Sequence, residues 1–345
     1  MEKWKTQVLP PDEANIRLAA ELLNQGEVVG FPTETVYGLA ANAFDPQAVA
    51  KIFAAKGRPQ DNPLIVHIAS MEMLPPLVKD PPALAFQLAE KFWPGPMTMI
   101  LPRSERLGDE VSAGLPTVGI RYPSSPTAQK MILASRLPLA APSGNLSGHP
   151  SPTTAAHMLH DMDTRIPLII DGGECQVGLE STVIQVKEDR VRLLRPGGIT
   201  VEMLEEVCPV EIDQGVLHAV DANAKVASPG MKYRHYAPIA EVTIVEGELA
   251  AFKKYLEAFK GDGVYAMVFD GEEDGLCVPT LPFGQSGQPE TQAHRLFDLL
   301  RQCDDLGAKK VFVRSPDRHG IGLAVYNRLL RAAAFRIVKL DDRKD

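Results

Sequence analysis

Apolar residues near the start of the chain recur first at helical spacing and then as a continuous run. Ile16, Ala19 and Leu23 lie on one side of a predicted helix, and Asp12 stands where the N-cap of that helix belongs. The apolar run at 28–31 follows and is typical of a buried strand. A helix followed by a buried strand is the beginning of a layered α/β pattern.

A second helix and a second strand come next, with signals at both ends of the helix. Asp45 is a favourable N-cap, and Pro46 fits the first helical turn. Gly57 is typical of the residue that ends a helix. The apolar run at 64–68 predicts the next strand.

The alternation of helices and strands continues to about residue 200. Further strands are predicted at 97–101, 118–121, 138–142, 167–170, 182–187 and 191–195. Further helices are predicted at 82–92, 125–135 and 152–161. Ser151 and Pro152 are predicted to form the N-cap and first turn of the last of these helices. The pattern predicts one mixed α/β domain, built on a twisted sheet, over residues 12–208.

The periodic pattern is lost over residues 209–238 and then restarts. The interrupted part includes the segment 228–238, whose two tyrosines and cluster of cations are unlike an inert linker. After it, strands are predicted at 240–245, 263–269, 309–314 and 335–339, and helices at 248–260, 291–306 and 321–333. We therefore predict a linker over 209–238 and a smaller Rossmann-like α/β domain over 239–345.

Composition narrows the class of protein. The 345 residues are 45% hydrophobic, and the formal net charge of −8 disfavours a broad surface for non-specific nucleic-acid binding. The four cysteines are scattered without a CxxC pair, which suits free thiols in a reducing compartment. The sequence shows neither a signal-peptide pattern nor an apolar run long enough for a bilayer, so we expect a cytoplasmic protein without membrane association.

Cations and small polar side chains follow the second helix and several predicted strands. They are Lys56, Arg58, Arg121, Ser143, Asn145, Ser181, Thr182 and Arg195. Strand ends line the ligand crevice of open α/β sheets, and guanidinium groups bind carboxylate and phosphate through paired donors. The set predicts a pocket for anionic small molecules, namely a nucleotide together with an acid. The sequence contains no Walker A motif, no HExxH motif and no metal-spaced His/Cys cluster.

Each of these residues also has a purely structural interpretation. Lys56 can serve as a cation favoured at the C-terminus of a helix, and Arg121 can be a surface residue. His67 on an apolar strand is more often a core histidine than a ligand. Ser143 and Ser181 can be turn formers. Only the combination of segments favours a functional site.

In their order along the chain, the segments resemble the YrdC-like family of threonylcarbamoyl-AMP synthases. The matching motifs are FPTETVYGL at 31–39, KGRP at 56–59 with NPL at 62–64, WPGPMT at 93–98, RYP at 121–123, SGNLSG at 143–148, ESTV at 180–183 and LRPG at 194–197. The segment 228–238 is similar to the linker of the long, two-domain form of the family. The resemblance implies a twisted open mixed sheet with helices for the first domain.

The resemblance also implies a reaction. L-threonine, bicarbonate and ATP would give L-threonylcarbamoyladenylate and pyrophosphate, and the product would pass to a tRNA threonylcarbamoyl transferase for tRNA modification. Mg²⁺ is expected to be coordinated by the ATP phosphates, and no protein residue is implied as a metal ligand. The sequence leaves direct tRNA binding open.

By position, the resemblance assigns a role to residues across the first domain. The implied catalytic residues are Lys56 and Arg58. The implied threonine site consists of Thr35, His67, Arg121, Ala141 and Ser181. The implied ATP site consists of Arg58, Asn62, Thr117, Ser143, Ser151, Arg195 and Tyr236, the last of these on the linker, which we predict to be a lid.

Other functions compete with this interpretation. One is an RNA-binding module without adenylate synthesis, against which the acidic net charge argues. Another is carbamoyl transfer in hydrogenase maturation, where YrdC-like domains accompany acylphosphatase and zinc-finger segments. This chain has neither the length nor the CxxC pairs that those segments require. The second domain can also be a regulatory or docking element.

Overall fold

The computed structural model describes residues 4–57, 62–218 and 236–340, which fall into two compact units. The first unit comprises the described residues up to Ser147 and from Ser151 to Val216. The second comprises Gly148–Pro150, Leu217 and His218, and the described part of Tyr233–Asp345. The first unit thus extends beyond the predicted boundary at 208. Most of the predicted linker, including all of 219–235, lies outside the described residues.

The first unit contains every strand and helix predicted for it. Its strands are β1 Gln7–Leu9, β2 Val29–Phe31, β3 Gly38–Asn42, β4 Ile65–His67, β5 Met97–Pro102, β6 Thr117–Arg121, β7 Leu139–Ala141, β8 Leu168–Ile170, β9 Thr182–Val186, β10 Val191–Arg195 and β11 Val210–Ile212. Its helices are α1 Glu13–Asn24, α2 Pro46–Lys56, α3 Ala83–Phe92, α4 Asp109–Ser112, α5 Pro126–Ser135, α6 Ala155–Met162 and α7 Val201–Glu205. The prediction missed β1, β3, β11, α4 and α7.

The described strands of the first unit form one mixed sheet, in the order β1-β8-β2-β3-β7-β4-β6-β5-β9-β10-β11. Parallel pairing of β4 with β6 places His67 beside Arg121. Antiparallel pairing of β5 with β6 places Thr98 on the other side of Arg121. Paired residues of neighbouring strands point to the same face of a sheet, so these three polar side chains lie side by side.

Local signals explain where the first two helices begin and end. The side chains of Asp12 and Asp45 accept hydrogen bonds from backbone amides in the first turns of α1 and α2, as predicted. Gly57 has a φ of 61°, a left-handed conformation that glycine adopts at little cost, and it ends α2.

The predicted N-cap at Ser151 is wrong. Helix α6 begins at Ala155, and its cap is Thr154, whose hydroxyl accepts a hydrogen bond from the His157 amide at 3.2 Å. The hydroxyl of Ser151 instead donates to the carboxylate of Glu180. Ser151 is therefore turned into the interior of the first unit, where it is fully buried.

The two faces of the large sheet have different coverings. On one face, Val66, Met99 and Ile120 belong to the larger core, which includes residues of α2 and α3. On the opposite face, Phe31 and Ala141 pack against apolar residues of α1 and α5. His67, Arg121 and Thr98 lie on this second face, which we call the front face.

The second unit is an α/β unit with a parallel sheet. Its strands are β12 Glu241–Glu246, β13 Val264–Val268, β14 Thr280–Pro282, β15 Lys310–Arg314 and β16 Ile337–Lys339, and its helices are α8 Leu249–Leu256, α9 Pro289–Asp305 and α10 Gly322–Ala332. The strand order is β14-β13-β15-β12-β16, and all four pairs are parallel. Counted within the unit this is 3-2-4-1-5, whereas the Rossmann order begins 3-2-1-4-5. Within the described ranges, no helix is long and apolar enough to cross a bilayer.

Candidate active site

A row of residues on β6 forms the centre of the front face. Thr117, Gly119 and Arg121 alternate along the strand and therefore point to the same side of the sheet. A Cβ atom added to Gly119 would lie 3.2 to 3.3 Å from side-chain atoms of Thr98 and Ile65. That spacing is tight, so a larger residue would be crowded here. Because glycine has no side chain, a ligand can lie against the strand between Thr117 and Arg121.

The charged end of this row is a buried ion pair between Arg121 and Glu34. Arg121 Nη2 lies 2.9 Å from Glu34 Oε1, and both side chains are about 5% exposed. The two groups are close but poorly aligned for a hydrogen bond. Neither oxygen of Glu34, nor Nε or Nη2 of Arg121, has a hydrogen-bond partner of suitable geometry among the described residues. Buried charged groups normally have hydrogen-bond partners. The atoms of this pair that lack them are therefore a place where a polar ligand fits.

A hydroxyl cluster extends the row across β5, β9 and β10. The hydroxyl oxygens of Thr98 and Ser181 lie 2.8 Å apart, and Arg195 donates to the Ser181 hydroxyl at 3.2 Å and to its carbonyl at 3.1 Å. Gly197 permits this close packing, because a Cβ atom there would lie 2.4 Å from the Thr182 amide nitrogen. The buried guanidinium of Arg195 thus stands beside two hydroxyls on the front face.

His67 is held neutral at the end of β4. Its ring packs edge-on against Phe31 with centroids 5.7 Å apart, and its Nδ1 lies 3.2 Å from the carbonyl oxygen of Ile65. Burial, and secondly the positive charge of Arg121, lowers the pKa of His67 to about 3. A neutral imidazole beside a guanidinium can orient a polar ligand without adding repulsion between two cations.

This shift predicts a pH dependence of stability. The unfolded chain protonates His67 near its ordinary pKa of 6.5, whereas the folded chain resists protonation until about pH 3. The unfolded state therefore gains protons first as pH falls, and between pH 6.5 and 3 this histidine lowers the free energy of unfolding by roughly 1 kcal/mol per pH unit. Denaturant unfolding at pH 7, 6 and 5 should show a shallower loss for His67→Gln than for the wild type.

The exposed His160 provides the control for this measurement. The His160→Gln variant should retain the pH dependence of the wild type, because an exposed ring loses little hydration on folding. Equal slopes for the wild type and His67→Gln would contradict the assigned burial of a neutral histidine.

The loop between β2 and β3 supplies Thr35. The Thr33 hydroxyl donates to the Val36 carbonyl at 2.6 Å and lies 2.8 Å from the Thr35 hydroxyl. Because Thr33 has one hydroxyl proton, the Thr35 hydroxyl donates to Thr33 in this arrangement. Thr35 is then presented as an acceptor, and it is fully buried.

Lys56 is the last residue of α2 and is only 3% exposed. Its ammonium donates to the backbone carbonyls of Ser143 at 2.5 Å and of Asn145 at 2.6 Å. The Ser143 hydroxyl in turn donates to the Asn145 side chain at 2.5 Å. Lys56 therefore does more than complement a helix dipole: it binds the loop that follows β7 and brings a buried positive charge to it.

The other predicted site residues are distributed as follows. Asn62 is fully buried just before β4, and Ala141 lies at the end of β7, opposite Ile65 of β4. Arg58 lies outside the described residues. Tyr236 lies in the second unit, where its ring packs against Phe297 with centroids 5.2 Å apart. The predicted lid role of Tyr236 stays a prediction.

The predicted site residues lie at different heights along the strands of the sheet. His67, Arg121, Ser181 and Arg195 lie at one end of the neighbouring strands. Thr117, at the start of β6, lies about 13 Å away, since each strand residue rises about 3.3 Å. Strand β7 runs antiparallel to β4 and so brings Ala141 and the loop after it towards this second end. The polar side chains on the strands are therefore spread along the front face and do not all lie at one end of it.

Sequence reasoning missed four residues of this face. They are Glu34, Thr98, Gly119 and Glu180. Three of them stand inside the quoted motifs at 31–39, 93–98 and 180–183, so a search for carboxylates and hydroxyls within those motifs would have found them. Gly119 gives no signal in the sequence, because only the pairing of β6 with β4 and β5 shows its role.

Comparison with known protein families supports the family resemblance of the sequence motifs. The profile of the Sua5, YciO and YrdC family, described as "Telomere recombination", matches residues 21–197. The profile described as "Threonylcarbamoyl-AMP synthase, C-terminal domain" matches residues 199–334. Together they account for both units.

Curated relatives and a solved structure agree with this match. The chain is 45% identical over 339 residues to a threonylcarbamoyl-AMP synthase of Bacillus subtilis, and the match covers 97% of each chain. A relative of the same name from Pyrococcus abyssi is also 45% identical, over 95% of this chain and 97% of its own. The crystal structure of Pyrococcus abyssi Sua5 complexed with L-threonine matches with a TM-score of 0.89 at 42% identity, covering 97% of this chain and 99% of that one.

Proposed function

The chain belongs to the Sua5, YciO and YrdC family in its two-domain form, and we propose that it catalyses the threonylcarbamoyl-AMP synthase reaction. In this reaction L-threonine, bicarbonate and ATP give L-threonylcarbamoyladenylate and pyrophosphate. The observation that supports it most directly is Arg121, a buried guanidinium on the front face whose Nε and Nη2 lack aligned partners among the described residues. Such a group fits the carboxylate of an amino acid.

The threonine site lies at the Arg121 end of the front face. Arg121 would bind the carboxylate, and the neutral ring of His67 would pack beside it. The hydroxyls of Thr35 and Ser181 would hydrogen-bond the polar groups of the substrate, and Ala141 would contribute its backbone. A relative of this chain binds L-threonine in its crystal structure, which supports the assignment of substrate.

The ATP site would extend along the same face towards Thr117. The distance of about 13 Å between Arg121 and Thr117 is long enough for an amino acid and a triphosphate to lie end to end. Asn62 and Ser143 would contact the nucleotide. Arg195 lies beside Ser181 at the Arg121 end, so it would offset phosphate charge where the nucleotide meets the amino acid. Ser151, which is bonded to Glu180, would contact the nucleotide at that same end. Arg58 and Tyr236 are assigned to this site by resemblance alone.

The chemistry requires positioning and neutralisation of charge rather than a covalent enzyme nucleophile. The amine of threonine attacks the carbon of bicarbonate and water is lost, which gives a carbamate, and a carbamate oxygen then displaces pyrophosphate from the α-phosphorus. Lys56, with Arg58, would stabilise the negative charge that develops. Burial, and secondly the charge of Glu34, raises the pKa of Cys175 to about 12, so the thiol nearest this site is not a thiolate at neutral pH.

Mg²⁺ would enter as the counter-ion of ATP. The described residues contain no group of three or more His, Cys, Asp or Glu side chains arranged to hold a metal ion. Mg²⁺ typically keeps several waters and binds mainly through substrate phosphates, so it would neutralise phosphate charge without a dedicated protein cage. The passage of the product to a tRNA threonylcarbamoyl transferase and the cytoplasmic location stay predictions.

The function is tested by release of pyrophosphate from ATP. We expect the purified chain to release pyrophosphate only when L-threonine and bicarbonate are both present, because the carbamate is the attacking group. Omission of either substrate should reduce the rate to background, and mass spectrometry should detect the threonylcarbamoyl-adenylate. Steady release of pyrophosphate without threonine would exclude this reaction.

A further inference from the structure

Glu34 is a buried carboxylate to which the proposed function gives no role. It is 6% exposed, and neither of its oxygens has a well-aligned hydrogen-bond donor among the described residues. Its closest charged neighbour is Arg121, whose Nη2 lies 2.9 Å from Oε1. The pair therefore presents two unfilled acceptor atoms next to two unfilled donor atoms inside the first unit.

The backbone holds Glu34 firmly in this position. The Thr33 hydroxyl accepts hydrogen bonds from the amides of Thr35 and Val36, both at 3.2 Å, which forms a tight turn around Glu34. The Val177 amide donates to the Glu34 carbonyl at 2.8 Å. The carboxylate is thus aimed at the front face by a fixed turn, not by a flexible loop.

A buried pair of opposite charges with open positions is complementary to a zwitterion. The carboxylate of an amino acid fits Arg121, and its ammonium then fits Glu34. Each charge of the zwitterion thus lies against the opposite charge of the ion pair. We propose that Glu34 binds the ammonium group of the substrate amino acid and accepts a proton from it. This inference rests on the proposed function and adds the catalytic base that the reaction needs.

The proton transfer completes the chemistry of carbamate formation. An N–H bond of the ammonium breaks, its proton moves to a Glu34 oxygen, and the electron pair stays on nitrogen. That pair forms the N–C bond to bicarbonate while the C–OH bond breaks, and the hydroxide leaves as water with the second proton of nitrogen. Glu34 returns its proton to solvent after turnover. No oxidant or further reactant is needed.

A purely structural role for Glu34 makes a different prediction. If the carboxylate only compensated the charge of Arg121, its loss would weaken binding of every carboxylate ligand to the same extent. A role in binding the ammonium instead affects only ligands that carry one. A comparison of L-threonine with its 2-hydroxy analogue, 2,3-dihydroxybutanoate of the same configuration, separates the two.

The test is calorimetric titration of wild type and Glu34→Gln with both ligands, without ATP. We expect the wild type to bind threonine at least about 10-fold more tightly than the analogue, since charged hydrogen bonds inside proteins contribute roughly 1.5–3 kcal/mol. In Glu34→Gln this preference should fall below about 3-fold. With saturating substrates, its kcat should fall at least about 100-fold, the range for loss of a general base.

Matched variants keep the result interpretable. Glu174 is an exposed carboxylate of the same unit, and Glu174→Gln should keep wild-type preference and turnover. Glu34→Asp retains the charge and should keep most of the preference for threonine even if Glu34→Gln does not fold. Equal affinity of the wild type for both ligands, or an unchanged preference in a folded Glu34→Gln, overturns the inference. Failure of the wild type to bind threonine at all would count against the proposed function itself.

Discussion

The Lys56→Met variant is expected to form threonylcarbamoyl-adenylate at least about 100-fold more slowly than the wild type, because a preorganised charge or donor at a reacting centre commonly contributes 10²–10³ in rate. The ammonium of Lys56 is buried and fixed by the carbonyls of Ser143 and Asn145. A charge held in this way needs no reorganisation when negative charge develops on the phosphates. Methionine keeps an unbranched stem of similar length, so the change removes mainly the charge.

Lys51 on the same helix provides the control. It forms an ion pair with Glu27 at 2.7 Å, with its side chain 45% exposed, and Lys51→Met should retain activity within about 2-fold because exposed pairs contribute little. Lys56→Met also leaves two carbonyls without their donor, so a melting curve must show that it is folded at the assay temperature. Turnover close to that of the wild type by folded Lys56→Met would remove Lys56 from the reaction.

Helix α2 shows what short-range patterns can predict. Its first residues and its last are determined by groups within one turn, namely the Asp45 cap and the left-handed Gly57. The prediction at Ser151 was wrong for a related reason. Thr153 and Thr154 follow within three residues and are also hydroxyl residues, and only the burial of Ser151 against Glu180 decides which of them caps the helix.

Strand pairing was harder to predict from the sequence, because it depends on residues far apart in the chain. Strand β3 is Gly38–Asn42, whose small residues have low β propensity, and it is a strand because β2 and β7 lie on either side of it. Strand β11 has only three residues at the edge of the sheet. The position of the loop after β7 depends on the antiparallel direction of β7 relative to β4, which no local pattern gives.

The candidate site likewise combines features that local sequence predicts with features that depend on contacts between distant residues. Motifs located the segments that carry Thr35, Lys56 and Ser181, since each motif is continuous in sequence. The ion pair of Glu34 with Arg121 joins residues 87 positions apart, and the unfilled hydrogen-bonding atoms of that pair appear only in three dimensions. Composition could not show which cations are buried.

The Arg121→Lys variant is expected to raise the KM for L-threonine about 10- to 100-fold and to leave the KM for ATP within about 3-fold. A guanidinium presents paired donors to a carboxylate, whereas an ammonium is a point charge, and loss of one charged hydrogen bond is worth roughly 1.5–3 kcal/mol. Lysine still compensates the charge of Glu34, so the variant avoids leaving a buried carboxylate alone, which costs about 3–5 kcal/mol.

Arg190 is the matched control, because it is exposed and forms its ion pair with its sequence neighbour Asp189. Arg190→Lys should have wild-type constants for both substrates. A second comparison uses the two KM values of Arg121→Lys. If both rise together, the guanidinium supports the whole front face rather than the amino acid, and the assignment of the carboxylate to Arg121 is wrong. A rise confined to threonine places the amino acid at the Arg121 end of β6, because only the ligand that contacts the guanidinium loses affinity.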